Sequence, residues 1–217
     1  MSSPLPELPG PALARLEDGL RVMGLRTDLA PPLARYARLL LFWSQAYNLT
    51  AIRDPQEIVT KHLLDCLAVL PHLADGALVD VGTGAGLPGI PLALARQELR
   101  VTLVESVGKK ARFLRQAVRE LDLGKRVEVI EARAEAVARP GQFAQLTARA
   151  LGEIARILEV AGHLLARDGR LLALKGRREE VLAETVPQGW RLEACHALAV
   201  PGLDGERHLA VVTRVLQ

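Results

Sequence analysis

The sequence predicts an α/β fold: a mostly parallel, seven-stranded sheet with helices on both faces, an antiparallel edge strand and a helical amino-terminal extension. Three observations predict it. Short strand-like runs alternate with helical patterns between residues 77 and 176, as parallel strands joined by crossover helices do. Residues 12 to 70 show helical spacing and no strong strand. The last two strand candidates follow one another without a convincing helix, which points to antiparallel pairing.

Taken in order, Ala12 to Leu25 places Leu13, Leu16, Leu20 and Met23 at helical spacing, ending near Gly24. Pro31 and Pro32 suit the first turn of a second helix, LARYARLLLFWSQAY. Asp54 caps a third, DPQEIVTKHLLDCLAVL, with Glu57 in capping-box position and Pro71 as the stop. Strands follow at 77–81, 101–105, 127–131, 143–150 and 170–176, the fourth with the weakest pattern. Between them lie helices from Pro91, over 109–121, over 134–138 and over 154–166. LEACHALAV and HLAVVTRVL complete the sheet. There is no internal repeat, so one domain is expected over 1–217, with residues 1–72 as extension and 73–217 as core.

Composition narrows the class. Hydrophobic residues make up 49% and charged residues 24%, which suits a globular chain. Aromatics are only 3%, so aliphatic side chains must fill the core. A net charge of +3 permits an anionic partner without requiring one. Cys66 and Cys195 lie outside any metal-ligand spacing, and reduced, buried thiols are expected, with no metal. The stretch MSSPLPELPGP has neither basic start nor apolar core, so a loose tail is expected rather than a signal peptide. No run approaches the ~20 apolar residues of a membrane span, and a cytoplasmic location is expected.

The chemistry concentrates in LVDVGTGAGLPGIP, residues 78 to 91. A P-loop is excluded, because the loop has no lysine to reach phosphates. Gly84, Gly86 and Gly89 match a dinucleotide fingerprint, but out of register: the glycine following the strand is Gly82, and counting from it the third position is Leu87. Asp80 at the strand's end would repel a pyrophosphate. S-adenosylmethionine meets these objections together. It has no phosphate, its ammonium and sulfonium suit Asp80, and Glu105 at the next strand end suits its ribose hydroxyls. Gly82, Gly84 and Gly86 let the backbone approach the ligand closely. A glycine turn that merely packs a helix on the sheet is the bland alternative. The expected fold is therefore the Rossmann-like class I methyltransferase fold.

The acceptor is read from absences. Exocyclic amines are often methylated beside an Asn/Asp-Pro-Pro-aromatic loop after the fourth strand, where this chain has LTARALGE. Pyrimidine C5 needs a nucleophilic cysteine, and neither thiol is placed for it. Guanine N7 has an in-plane lone pair and no proton to lose, so positioning and electrostatics suffice.

NLTAIRDPQEIVTKHLLD, DVGTGAGLPGIPLAL, ESVGKKARFL, RAE, RAL, LKG and VPGLDGERHL occur in one order. Together they resemble the bacterial 16S rRNA guanine-N7 methyltransferases, the glucose-inhibited division protein B family, over about 33–217. The resemblance implies methyl transfer from S-adenosylmethionine to N7 of one guanine of 16S rRNA in a small-subunit particle, without a covalent intermediate; a monomer is expected. By motif it places Gly82, Leu87, Ala134, Glu135 and Arg149 at the cofactor. Glu135 is equally explained as a helix-start acid. Arg149, at a strand's carboxyl end, is poorly explained as core and is the candidate catalytic residue, able to bond guanine O6 or a phosphate. One departure is Ala144, where the family often has aspartate after the phenylalanine.

Lys175, Arg177, Arg207 and His208 are candidate RNA contacts near the same rim, beside Arg178. Lys109, Lys110, Arg112, Arg115 and Arg119 share the polar side of one helix, a solvated face or an RNA surface. Asn48, Lys61, His62 and Asp65 are placed to close over the site from the extension. Two other readings stand beside this one: a small-molecule methyltransferase, and an RNA-binding module with a vestigial cofactor loop.

Overall fold

The structure, a computed structural model, describes residues 5–215. The first four residues of the tail and the last residue of HLAVVTRVL lie outside the described residues. The tail that is described is not loose. Arg38 donates to the carbonyls of Pro6 and Leu5, both at 2.6 Å, and Leu8 is buried.

The extension is helical as expected. It holds α1 (Gly10–Val22), α2 (Ala30–Tyr47), α3 (Pro55–Ile58) and α4 (Asp65–Leu67). Asp54 caps α3 by accepting from the Gln56 N–H at 3.1 Å. The capping box is not closed: Glu57 turns outward to Lys61 instead, at 2.6 Å. Between α3 and α4 the chain is π-helical over Val59–Leu64, which apolar periodicity does not reveal. Such wide turns cluster at functional sites.

The core follows as β1 (Leu78–Val81), α5 (Gly89–Ala95), β2 (Val101–Glu105), α6 (Gly108–Glu120), β3 (Val127–Glu131), β4 (Phe143–Arg149), α7 (Ile154–Ala161), β5 (Leu165–Lys175), α8 (Arg178–Ala183), β6 (Trp190–Ala197) and β7 (His208–Arg214). Strand order is β3-β2-β1-β4-β5-β7-β6. The first five are parallel, and β7 runs antiparallel to both β5 and β6. The reversed strand thus lies just inside β6. Side chains alternate across the sheet: Leu78, Leu103 and Leu172 face α5, α6 and the extension, while Val79, Val81 and Leu146 face α7.

Several boundaries differ from expectation. The helix predicted from Pro91 starts at Gly89. That predicted over 154–166 ends at Ala161, and Leu165 already belongs to β5. The helix expected over 134–138 is a single 3-10 turn, Ala134–Ala136. α8 was not expected. The weak pattern of β4 has a physical cause: Gln145 is fully buried and its amide pairs with Ala74, donating to the carbonyl at 2.8 Å and accepting from the N–H at 2.7 Å. Ala144, the departure from the family pattern, sits at a register shift between Phe143 and Gln145, after which pairing resumes to Arg149.

Order reverses between β1 and β4, where the chain leaves β1 for one side and later returns on the other. Ligands of open α/β sheets bind at such a switch point, outside the carboxyl ends of the strands. Asp80, Glu105 and Arg149 lie at or near those ends.

Candidate functional site

The glycine loop is built from below. Asp80 is fully buried, and its Oδ2 accepts from the Thr83 hydroxyl at 2.5 Å and from the Gly89 N–H at 2.9 Å. The carboxylate therefore anchors both the loop and the start of α5. Burial pushes its pKa up to about 6, against those hydrogen bonds, which lower it. The hydroxyl of Thr147, its register neighbour on β4, lowers it too, although neither that hydroxyl nor Oδ1 makes a close hydrogen bond among the described residues.

Above this anchor Gly82 adopts φ 60°, and a Cβ there would lie 2.7 Å from Leu151 Cδ1. An L side chain would be strained by conformation and by contact together. Glu105 is buried, receiving the Gly84 N–H at 2.9 Å and the Val107 N–H at 2.8 Å. A carboxylate offers about four acceptor sites, so two remain for hydroxyl groups. Leu87 is nearly buried in the loop. The cleft at the strand ends is lined by Gly82, Val104, Ser106, Ala134, Glu135 and Leu151, and Leu87 is not part of its lining. Glu135 also meets Arg156 at 3.4 Å across this cleft, a partner that sequence reasoning missed.

Also missed was Tyr36. From the middle of α2 its buried hydroxyl donates to the Ala85 carbonyl at 2.6 Å, so the extension holds the glycine loop directly. A hydroxyl-bearing residue within an apolar helical face was the available signal. Removing one partner of a buried hydrogen bond costs ~1–3 kcal/mol. Tyr36→Phe is expected to weaken S-adenosylmethionine binding by about tenfold in calorimetry while leaving the turnover at saturating donor within about twofold. Unchanged affinity would show that the contact is ornamental to the loop.

Arg149 closes the other side. One terminal nitrogen donates to the Lys61 carbonyl at 2.9 Å and meets His62 Nδ1 at 2.9 Å. The other lies 3.5 Å from Cys66 Sγ and 3.6 Å from Asp65 Oδ2. Asp65 Oδ1 accepts from Arg207 Nε at 2.9 Å, so one buried carboxylate joins two arginines distant in sequence. The π-helical stretch and the first residue of α4 after it present the Lys61 carbonyl, His62 and Asp65 to β4. Burial pushes the Asp65 carboxyl upward, opposing the two guanidiniums.

His62 Nε2 lies 2.8 Å from Thr50 Oγ1. Nδ1 lies 2.9 Å from the Lys61 carbonyl as well as from the guanidinium, so a ring protonated there donates to Lys61 and accepts from Thr50 at Nε2, whereas a ring with its lone pair there accepts from Arg149 and donates from Nε2. Burial first, then Arg149, lowers its pKa from 6.5 to about 4. Because the folded value is depressed, the stabilising contribution is present above pH 6.5 and is lost as pH falls through 4. Asp80 acts oppositely: its raised pKa adds stability below its ordinary value of 3.8, lost as pH rises through 6. The two effects oppose each other in acid, so a bulk unfolding curve does not isolate either. Ring NMR of His62 is expected to show a midpoint near 4, and a midpoint near 6.5 would contradict the guanidinium contact.

The candidate RNA residues divide. Arg177 is exposed just before α8 and, among the described residues, pairs only with Glu180 of that helix, at 2.6 Å. Arg207 reaches the site through Asp65. Lys175 is turned inward: its Nζ donates to the Gly152 carbonyl at 2.8 Å and to Glu184 at 2.5 Å, with 13% of the side chain exposed. Glu184 also accepts the first N–H of α7, from Ile154, at 2.6 Å. His208 is buried, with Nδ1 2.8 Å from the Gly176 carbonyl. The structure thus gives Lys175 and His208 structural partners rather than open surfaces. Cys66 is buried and its thiol pKa is raised to about 12, whereas Cys195 is only partly buried.

The switch-point cleft, the glycine loop over a buried acid and the acid ending β2 together define an S-adenosylmethionine-dependent methyltransferase of Rossmann-like fold. Solved structures share the fold: a SAM-dependent methyltransferase from Aquifex aeolicus aligns with TM-score 0.58 at 18% identity, over 78% of this chain and 98% of its own. The geranyl diphosphate C-methyltransferase from Streptomyces coelicolor, solved with S-adenosyl-L-homocysteine, aligns with TM-score 0.54 at 16% identity, over 69% and 79%. At family level, residues 30–210 match GidB, rRNA small subunit methyltransferase G, and the chain belongs to that family. Ribosomal RNA small subunit methyltransferase G of Stenotrophomonas maltophilia strain K279a is 58% identical, covering 95% of this chain and 97% of the relative. That of Xanthomonas campestris pv. campestris strain B100 is 56% identical, covering 94% and 96%.

Proposed function

We propose that the protein methylates N7 of one guanine in 16S rRNA of the small ribosomal subunit, with S-adenosylmethionine as donor. The observation that carries this reading is the joining of two half-sites at the strand ends: a phosphate-free glycine loop over Asp80 and Glu105, and a guanidinium held by the extension beside it.

The residues present fit the donor. Gly82 leaves space that a Cβ would fill, Glu105 has acceptor capacity for ribose hydroxyls, and Ala134 and Leu151 offer apolar walls for an adenine. Asp80 supports the loop from inside through the Thr83 hydroxyl and the Gly89 N–H. Bound S-adenosylmethionine supplies an electrophilic methyl group on sulfur. Guanine N7 contributes the electron pair and loses no proton, so no residue has to act as base. The purine becomes cationic instead.

Arg149 keeps N–H donors beyond those bound to Lys61 and His62, and these suit guanine O6. Asp65 offsets its charge, so the guanidinium orients the base with less repulsion of the cation that forms. Arg177 and Arg207 serve the RNA backbone; Lys175 and His208 shape the rim by fixing the loops at 152 and 176. The exposed base must leave its stack to reach this recess.

The test is transfer of labelled methyl from S-adenosylmethionine to small subunits lacking the mark, followed by mapping of N7-methylguanine. One labelled guanine in 16S rRNA is the expected result. Transfer only to a small molecule, or none to any guanine N7, would overturn the reading.

A further inference from the structure

Aromatic residues are scarce, yet Trp43 and Tyr47 stack at the end of α2, with ring centroids 5.3 Å apart and planes at 27°. Trp43 also packs on Phe113 of α6 at 5.7 Å. Both rings of the pair are only half-buried. Arg35 pairs with Glu120 at 2.6 Å at the other end of the same helices, so α2 and α6 run antiparallel. One turn past Trp43 is Tyr47; one turn before Phe113 are Lys109 and Lys110. The partly exposed Tyr47 is therefore level with these cations, at the end of α6 that leaves the cofactor rim.

Part of the positive charge on this face is uncompensated. Arg115 and Arg119 are engaged, with Glu131 and Gln116 respectively. Lys109, Lys110 and Arg112 form no ion pair among the described residues, although Arg112 and Lys109 are exposed. Arg53, just beyond α2, is exposed and bonds only neutral groups, Asn48 Oδ1 at 3.1 Å among them. A sequence-tolerant aromatic platform beside unpaired cations is the chemistry that holds a single RNA strand: bases stack on the rings and phosphates meet the cations.

We infer that the outer face of the α2–α6 pair is a docking surface for single-stranded RNA, with the partly exposed Tyr47 as the stacking ring and Lys109, Arg112 and Arg53 as phosphate contacts. The inference rests on the rRNA methyltransferase reading and extends it to a second contact outside the catalytic recess.

Two variants test it. Tyr47→Ala is expected to weaken binding of 16S rRNA by about tenfold, with Tyr47→Phe restoring it, because a phenyl face still stacks. Combined Lys109→Gln and Arg112→Gln should make the dependence of log affinity on log salt shallower by about 1.4, at about 0.7 per phosphate contact on a single strand. S-adenosylmethionine affinity should be unchanged in both, which reports an intact core. Unchanged RNA affinity and salt slope would overturn the inference, as would a defect confined to self-association, which would assign the face to a second copy of the chain. If the wild type binds 16S rRNA through these residues but methylates no guanine, the surface stands and the methylation reading fails.

Discussion

Arg149→Lys is expected to lower methyl transfer by on the order of 100-fold while S-adenosylmethionine affinity changes by less than about threefold. The lysine keeps the charge, so the loss tests geometry. Arg149 engages the Lys61 carbonyl and His62 through one terminal nitrogen and Asp65 through the other, all in one planar group. An ammonium is a point donor on a flexible stem and cannot reproduce that fork. The cofactor cleft is lined by other residues, which is why donor binding should survive. Single-turnover kinetics with saturating donor and small subunits give the measurement. Activity within about threefold of wild type would remove Arg149 from the acceptor site. A matching readout comes from Arg149→Met, where loss of the neighbouring cation is expected to raise the titration midpoint of His62 above about 4.

Much of the core was legible because strands and crossover helices announce themselves by period. The runs at 78–81, 101–105 and 127–131 became β1, β2 and β3, and Asp80 and Glu105 fell at the strand ends where the loop requires them. What the pattern did not reveal has local physical causes. Asp80 reads as an acid facing a cationic ligand, but its Oδ2 serves Thr83 and Gly89, because the nearest N–H and O–H donors to a buried acceptor are those of its own loop. Lys175 and His208 read as surface cations at a rim. Their partners, Glu184 and the Gly176 carbonyl, arrive from an unexpected helix and from the neighbouring strand, contacts that no linear spacing encodes. The π-helical turn at Val59–Leu64 has the same apolar residues as an α-helix, yet its extra residue per turn sets Lys61, His62 and Asp65 toward Arg149.

Asp65→Asn tests whether that tertiary junction, rather than Arg149 alone, makes the acceptor half-site. Asp65 is 2% exposed and is the only carboxylate among the described residues that pairs with both Arg149 and Arg207. Burial raises the cost of its charge, so the pairs need not stabilise the fold relative to an apolar junction. Deleting only the carboxylate is a different matter, because it leaves the largely buried guanidinium of Arg149 uncompensated. The expected loss is about 3–5 kcal/mol, read as a fall in melting temperature of roughly 10 °C for a chain of this size. Methyl transfer should fall with it, since Arg149 is no longer held. The combined substitution Asp65→Leu with Arg149→Met separates the two consequences. It removes the two more buried charges of the network, leaving the more exposed Arg207, and is expected to recover most of the stability while recovering no transfer. If Asp65→Asn melts within about 2 °C of wild type, water reaches the junction and the buried-charge argument fails; if the double variant recovers transfer as well, the acceptor is oriented by something other than this arginine.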